Sequence, residues 1–128
     1  MFDDEVLKAV DIMAERLGVE AAALLAIAEV ESGGQAFATV GGRPEPLIRF
    51  EGHYFDQRLT GAKREQARAA GLASPVAGAI AKPATQAGRW RLLRAAAAID
   101  HAAAHESVSW GLGQVMGAHW RWFGFPHI

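Results

Sequence analysis

The chain has 128 residues, with 13 Lys and Arg against 14 Asp and Glu, a formal net charge of -1 and no cysteine. That length fits one domain around one core, and the near-balanced charge argues against a nucleic-acid footprint or a strongly basic membrane-surface binder. Without cysteine there is no disulfide framework, thiolate metal site or cysteine nucleophile, and the redox compartment stays undecided.

The amino-terminal MFDDEVLKAV is acidic where a secretory signal is basic, and no run approaches the roughly 18 apolar residues of a spanning helix. The expectation is a chain made in the cytoplasm without a signal peptide. Asp3 or Asp4 caps a first helix in which Val6, Leu7, Val10, Met13, Ala14 and Leu17 recur at helical spacing, with Gly18 as its stop. Residues 20–32, EAAALLAIAEVES, are strong helix formers apolar on several faces and end at Gly33 and Gly34; such a helix is expected at the buried centre of a fold. From Gln35 to Pro46 the sequence reads as loop with room for a short hairpin, and LIRF permits one short strand.

FEGHYFDQRL and GAKREQARAAG are two short helical pieces, and SPVAGAIAKPAT is a connector punctuated by Pro75 and Pro83. A long helix is expected from about Thr85 to His105, with Leu92, Ala96, Ile99 and Ala103 on one stripe. The last stretch, ESVSWGLGQVMGAHWRWFGFPHI, crowds Trp110, Trp120, Trp122, Phe123 and Phe125 among glycines. No repeat or low-complexity linker divides the chain, and the expected fold class is mainly α, α+β at most.

Two acids close the second helix. Leu24, Ala28 and Glu31 share one stripe and Ala22, Leu25 and Glu29 another, so only one acid projects into a given cleft. Periodicity does not choose between them. Unpaired carbonyls at a helix end disfavour an ionised carboxylate, and with apolar surroundings this is the setting a general acid needs. The competing reading is a frayed helix end whose glutamates reach water.

EVESGG, then RFEGHYFDQRL, then SWGLGQVMGAHW, in that order in one small helical chain, resemble the lysozyme-like superfamily of goose-type lysozymes and lytic transglycosylases. The set from Leu24 to Trp120 is most similar to the N-acetylmuramidase domain of phage and prophage endolysins. The resemblance implies a lysozyme-like fold and peptidoglycan glycan strands as substrate. It also implies that Glu31 is the acid protonating the glycosidic oxygen between N-acetylmuramic acid and N-acetylglucosamine, and that Glu29 is structural. Gly111, Leu112 and Gln114 would line the saccharide cleft, the glycine letting a sugar approach the backbone and Gln114 both donating and accepting. Ser32, His53, Tyr54 and Trp110 join them as candidate substrate contacts, with core packing the competing role.

Glycoside hydrolysis usually needs a second carboxylate. Glu51 is the candidate, with Glu45 and Asp56 as alternatives, whereas a transglycosylase, by the resemblance, needs none. Lytic transglycosylase is thus the nearest chemical alternative, and an inactive glycan-binding or assembly module the alternative of another class.

No metal or cofactor is expected. His101 and His105 are four apart with Glu106 following, but the order is not His-Glu-x-x-His and no third ligand is evident. Arg89, Arg91 and Arg94 read as a solvated helix face. Neither nucleic acid nor stable membrane insertion is expected. The site of action implied is the bacterial cell wall, reached by a separate route such as a holin pore. Domains of this family normally continue past the tryptophan-rich segment to a Tyr-Asn-Gly motif, so the chain reads as a single domain shortened at its C-terminus. Its aromatic residues would then form an exposed patch, a route to a homo-oligomer.

Overall fold

The computed structural model describes residues 2–128. Asp3 caps α1 (Asp4–Leu17) by accepting the Val6 N–H at 2.8 Å, and Gly18, left-handed at φ 66°, closes it. Val6, Val10 and Ala14 form its buried stripe. α2 (Ala21–Ser32) ends in the same way at Gly33. Its expected place at the buried centre is not observed: only Ala28 is buried, and Ile27 and Val30 are 54% and 83% exposed. A helix apolar on every side specifies no inward face, and here α1 is the main element packed against it.

The expected hairpin is present as β1 (Phe37–Val40) and β2 (Arg43–Pro46), antiparallel across Gly41 and Gly42. Both glycines have positive φ, as a two-residue hairpin turn demands. β3 (Ile48–Phe50) leaves that ribbon and pairs with β4 (Val108–Trp110), which pairs in turn with β5 (Val115–Met116), giving a three-stranded antiparallel sheet in the order β3-β4-β5. β4 and β5 were not expected. Strands this short show too little alternation to stand out.

α3 (Gly52–Arg58) and α4 (Gly61–Ala69) are the two short helices, and residues 71–85 connect α4 to α5 without a regular element. A Cβ on Gly52 would collide with the Ile80 side chain, so the absent side chain lets the connector lie directly on α3. The expected single helix from Thr85 to His105 is two, α5 (Gln86–Ile99) and α6 (His101–Glu106). Asp100 breaks it: extended at φ -154°, it caps α6 by accepting the Ala103 N–H at 3.0 Å and binds Lys63 Nζ at 2.7 Å.

The core is built where these elements meet. Ile48 and Phe50 of β3, Val108 of β4, Phe55 of α3 and Leu59 just after it, Leu93 and Ala96 of α5, and Ala104 of α6 are all buried. Phe50 and Phe55 pack edge to face with centroids 5.4 Å apart. Of the expected stripe, Ala96 and Ala103 are buried, while Leu92 and Ile99 pack at the margin.

α3 and α4 are joined by charge. Asp56, 4% exposed, accepts from Arg68 Nε at 2.6 Å and Nη2 at 2.9 Å, while Arg64 Nε donates to its backbone carbonyl. The Arg68 hydrogen bonds, helped by the Arg68 and Arg64 charges, outweigh burial and hold the Asp56 carboxyl below the usual carboxylate range. A carboxylate depressed in the folded state stabilises above its unfolded pKa of about 4, and that stability is lost as pH falls through the lower folded value. Asp56→Asn should therefore be less stable than the parent near neutral pH and lose less stability on acidification. Urea unfolding across the acid range reads this, and parallel pH profiles for the two proteins would refute it.

Candidate active site

The turn between β4 and β5 carries the Gly111–Gln114 motif. Gly111, at φ 68°, donates its N–H to the Leu47 carbonyl at 2.7 Å. Gln114 has φ 49°, in the left-handed region that side chains normally avoid. Its side-chain Nε2 donates to Gly111 O at 2.9 Å and Leu47 O at 3.4 Å. The amide nitrogen is thus committed to backbone, and accepting through the amide oxygen is the capacity Gln114 retains for a ligand.

Leu112, at the tip of the turn, reaches the helices. On one side it borders a cleft with Val6, Ala9, Ala36 and Phe37; on the other it borders a 230 Å³ groove with Val10, Met13, Leu24, Ile27, Ala28 and Gly113. Glu31 lies one helical turn beyond Ile27 and Ala28, on the face of α2 that flanks this groove. Glu29 faces elsewhere. Its Oε2 lies 3.5 Å from where a Gly34 Cβ would sit, beside the Phe2 ring near the start of α1. Glu31 is exposed, so the apolar enclosure expected around it is not supplied within this chain. Ser32 turns its hydroxyl back to the Ala28 carbonyl at 2.9 Å, which directs it along the helix.

A second group forms at the β3–α3 corner. Glu51 is buried; its Oε1 lies 3.1 Å from Arg49 Nε and 3.0 Å from Lys82 Nζ, and its Oε2 lies 3.7 Å from His53 Nδ1. That His53 nitrogen is buried without a hydrogen-bond partner. The His53 ring lies 4.0 Å from that of Tyr54, and Arg58 sits 5.7 Å from the Tyr54 ring centroid. The cluster joins β3, α3 and the connector through ion pairs. Lys82 was missed by sequence reasoning because nothing in the spacing of a proline-punctuated connector points to residue 51.

Trp110 is fixed on several sides: Nε1 donates to His105 O at 3.2 Å, the His105 ring stacks on it at 5.8 Å, and Trp90 meets it edge to face at 5.9 Å. The structure therefore joins Gly111 and Gln114 at the Leu47 carbonyl, sets Leu112 and Gly113 against the Leu24, Ile27 and Ala28 stripe of α2 that Glu31 continues, and gathers Glu51, His53 and Tyr54 at the β3–α3 corner. Arg91 and Arg94 are exposed as expected, but Arg89 is half-buried and donates to the Pro83 carbonyl at 3.0 Å. The His101 and His105 ring centroids lie 4.1 Å apart at a tilt of 33°, and among the described residues no three His, Cys, Asp or Glu side chains gather as a metal would need. No helix among them is long and apolar enough to cross a membrane.

A model of the N-acetylmuramidase family matches residues 20–128, from the start of α2 through the aromatic end. The chain belongs to the N-acetylmuramidase family. It is also similar to the crystal structure of the Burkholderia AP3 phage endolysin, with a TM-score of 0.72 and 33% identity over 98% of this chain and 46% of the endolysin. It thus spans about half the length of that protein. A search of curated proteins finds no match. The mainly helical, lysozyme-like architecture expected from the sequence is the one this muramidase domain has.

Gln114 offers a test of the turn. Gln114→Gly keeps the left-handed backbone and removes the side-chain bonds, and should cost about 1 kcal/mol. Gln114→Val removes the same bonds and strains a β-branched residue at positive φ, so it should unfold at clearly lower urea. Equal midpoints for the two variants would show that the backbone there is not held left-handed.

Proposed function

We propose that this muramidase domain hydrolyses the bond between N-acetylmuramic acid and N-acetylglucosamine in peptidoglycan, with Glu31 as the proton donor. The observation that carries the reading is the course of one helical stripe: Leu24, Ile27 and Ala28 line the groove closed by Leu112 and Gly113, and Glu31 continues that face. A glycan laid along the turn would bring its glycosidic oxygen to the acid. The Glu31 carboxyl gives its proton to that oxygen, the bond to the anomeric carbon breaks, and water adds to the oxocarbenium-like centre, its released proton restoring the Glu31 carboxyl.

Gly111 and Gly113 let sugar rings come close to the backbone, and the Gln114 amide oxygen accepts a hydrogen bond from an N-acetyl N–H or a hydroxyl. The partly exposed rings of Tyr54 and Trp110 are candidate stacking surfaces for the apolar faces of sugars. Glu51, its oxygens turned to Arg49, Lys82 and His53, is assigned a positioning part. The domain would act at the cell wall, after synthesis in the cytoplasm and release by a separate route. The exposure of Glu31 and most of α2 favours one second reading, a module that binds glycan without cutting it.

Mass spectrometry of fragments from purified peptidoglycan separates these outcomes. The parent should release reducing muramic-acid ends, Glu31→Gln should lower the rate by roughly a hundredfold or more, and Glu29→Gln should stay near the parent. Glu51→Gln should reduce stability more than the rate per folded molecule; lost cleavage with unchanged stability would instead make Glu51 the second carboxylate. Anhydro ends would transfer the domain to the transglycosylases. Pelleting with the wall without release would establish the binding module and end the catalytic reading.

A further inference from the structure

β3 has a strand on one side only. Along that side the Glu51 N–H reaches the Ser107 carbonyl at 2.9 Å and the Leu47 carbonyl receives the Gly111 N–H at 2.7 Å. Ile48 turns its own N–H and carbonyl the other way, at a buried position where an open N–H would be costly. A side chain of α5 meets both groups: Gln86 Oε1 accepts the Ile48 N–H at 3.0 Å, and Gln86 Nε2 lies 3.4 Å from the Ile48 carbonyl. One amide thus does for β3 what a further strand would do.

The start of α5 is set for this contact. Thr85 caps it by accepting the Gly88 N–H at 3.1 Å, and a Cβ on Gly88 would collide with the Pro83 side chain. Trp90, one turn beyond Gln86, donates Nε1 to the Pro46 carbonyl at 3.2 Å. Four helical residues rise about 6 Å and two strand residues about 6.6 Å, so Gln86 and Trp90 are spaced to match Ile48 and Pro46. Arg89 brings Nη1 to 3.4 Å from the same Ile48 carbonyl.

Gln86 does more than fill a sheet edge because of the peptide unit it holds. The Ile48 N–H and the Leu47 carbonyl belong to one planar trans group and point to opposite sides of the chain. The Leu47 oxygen receives the Gly111 N–H and lies 3.4 Å from Gln114 Nε2. Tilting that plane swings the oxygen as far as the N–H, so the acceptor on one side sets the aim of the carbonyl on the other. Donation to Gln86 also polarises the unit and makes the Leu47 oxygen a stronger acceptor.

We propose, on the reading that the Gly111–Gln114 turn lines the saccharide cleft, that Gln86 is a positioning residue for glycan binding. It acts through the Leu47–Ile48 peptide on Gly111 and Gln114, and no contact of its own with the sugar is involved. The amide oxygen is the acting half, because it alone meets the peptide that carries the Leu47 carbonyl. The amide nitrogen serves the next peptide, where the Arg89 guanidinium stands ready to share its part.

Two substitutions in the full chain separate the halves of the amide. Gln86→Met keeps the length and removes both polar groups, whereas Gln86→Glu keeps an acceptor for the Ile48 N–H and loses the donor. Nuclear magnetic resonance reads the Gly111 and Gln114 amide shifts and the Gly111 exchange rate, and soluble uncrosslinked peptidoglycan fragments give kcat and KM per folded molecule. Gln86→Met should shift both amides, speed Gly111 exchange about tenfold or more, and raise KM about fivefold with kcat within about twofold of the parent. Gln86→Glu should restore most of each. If Gln86→Met fails to fold, Gln86→Asn, which draws the acceptor back by one methylene, takes its place with the same expectations. A parent that binds the fragments without cutting them ends the hydrolase reading alone, and their Kd then replaces KM. Unchanged Gly111 signals and KM in Gln86→Met, a loss that follows only the folded fraction, or a Gln86→Glu that behaves like Gln86→Met would overturn the positioning role.

Discussion

The Leu47 carbonyl is the acceptor on which the motif turn depends. It receives the Gly111 N–H at 2.7 Å and lies 3.4 Å from the Gln114 amide, so one oxygen between β2 and β3 anchors a turn more than sixty residues later in the chain. With that turn fixed, β4 and β5 run back across β3, and Leu112 is delivered to α1, α2 and the β1–β2 hairpin. The hairpin, the sheet and the first two helices thus share one point of reference. A left-handed Gln114 is tolerated because its own side chain reinforces that reference.

Much of the helical frame was legible in the sequence because helices announce their ends. Asp3 and Gly18 bound α1 as cap and stop, and Gly33 ends α2 in the same way. What escaped detection was non-local or very short. Strands of two and three residues are specified by their partners, and β3 finds its partner only after α6. The break at Asp100 arose because one carboxylate satisfies both a helix cap and Lys63, a competition that periodicity along a single stretch does not register.

The site divides along the same line. The two opposed stripes of α2 were readable, yet only the positions of Leu112 and Gly113 show which stripe flanks the groove. Glu51 stood out in the sequence as a carboxylate in a recognisable segment, but its surroundings are assembled from β3, α3 and the connector. Its oxygens hold distant pieces of chain together, a use of charge that composition does not reveal. Burial of α2 was misjudged for a related reason: an apolar helix declares that it can be covered, while the neighbouring elements decide whether it is.

The peripheral position of α2 also bears on how the molecule breathes. The main core joins β3, β4, α3, α5 and α6, whereas α1 and α2 pack chiefly on each other and bury few large side chains. Regions with little buried apolar contact open at lower free energy than the global unfolding transition. The helix pair is therefore expected to open as a unit of its own, its amides exchanging with solvent ahead of those of β3 and β4. Glu31 rides on that softer unit and the Gly111–Gln114 turn on the harder one. The separation of Glu31 from the turn is therefore set by how α2 is held, and a contact that clamps α2 against the turn raises the share of molecules with the two in register.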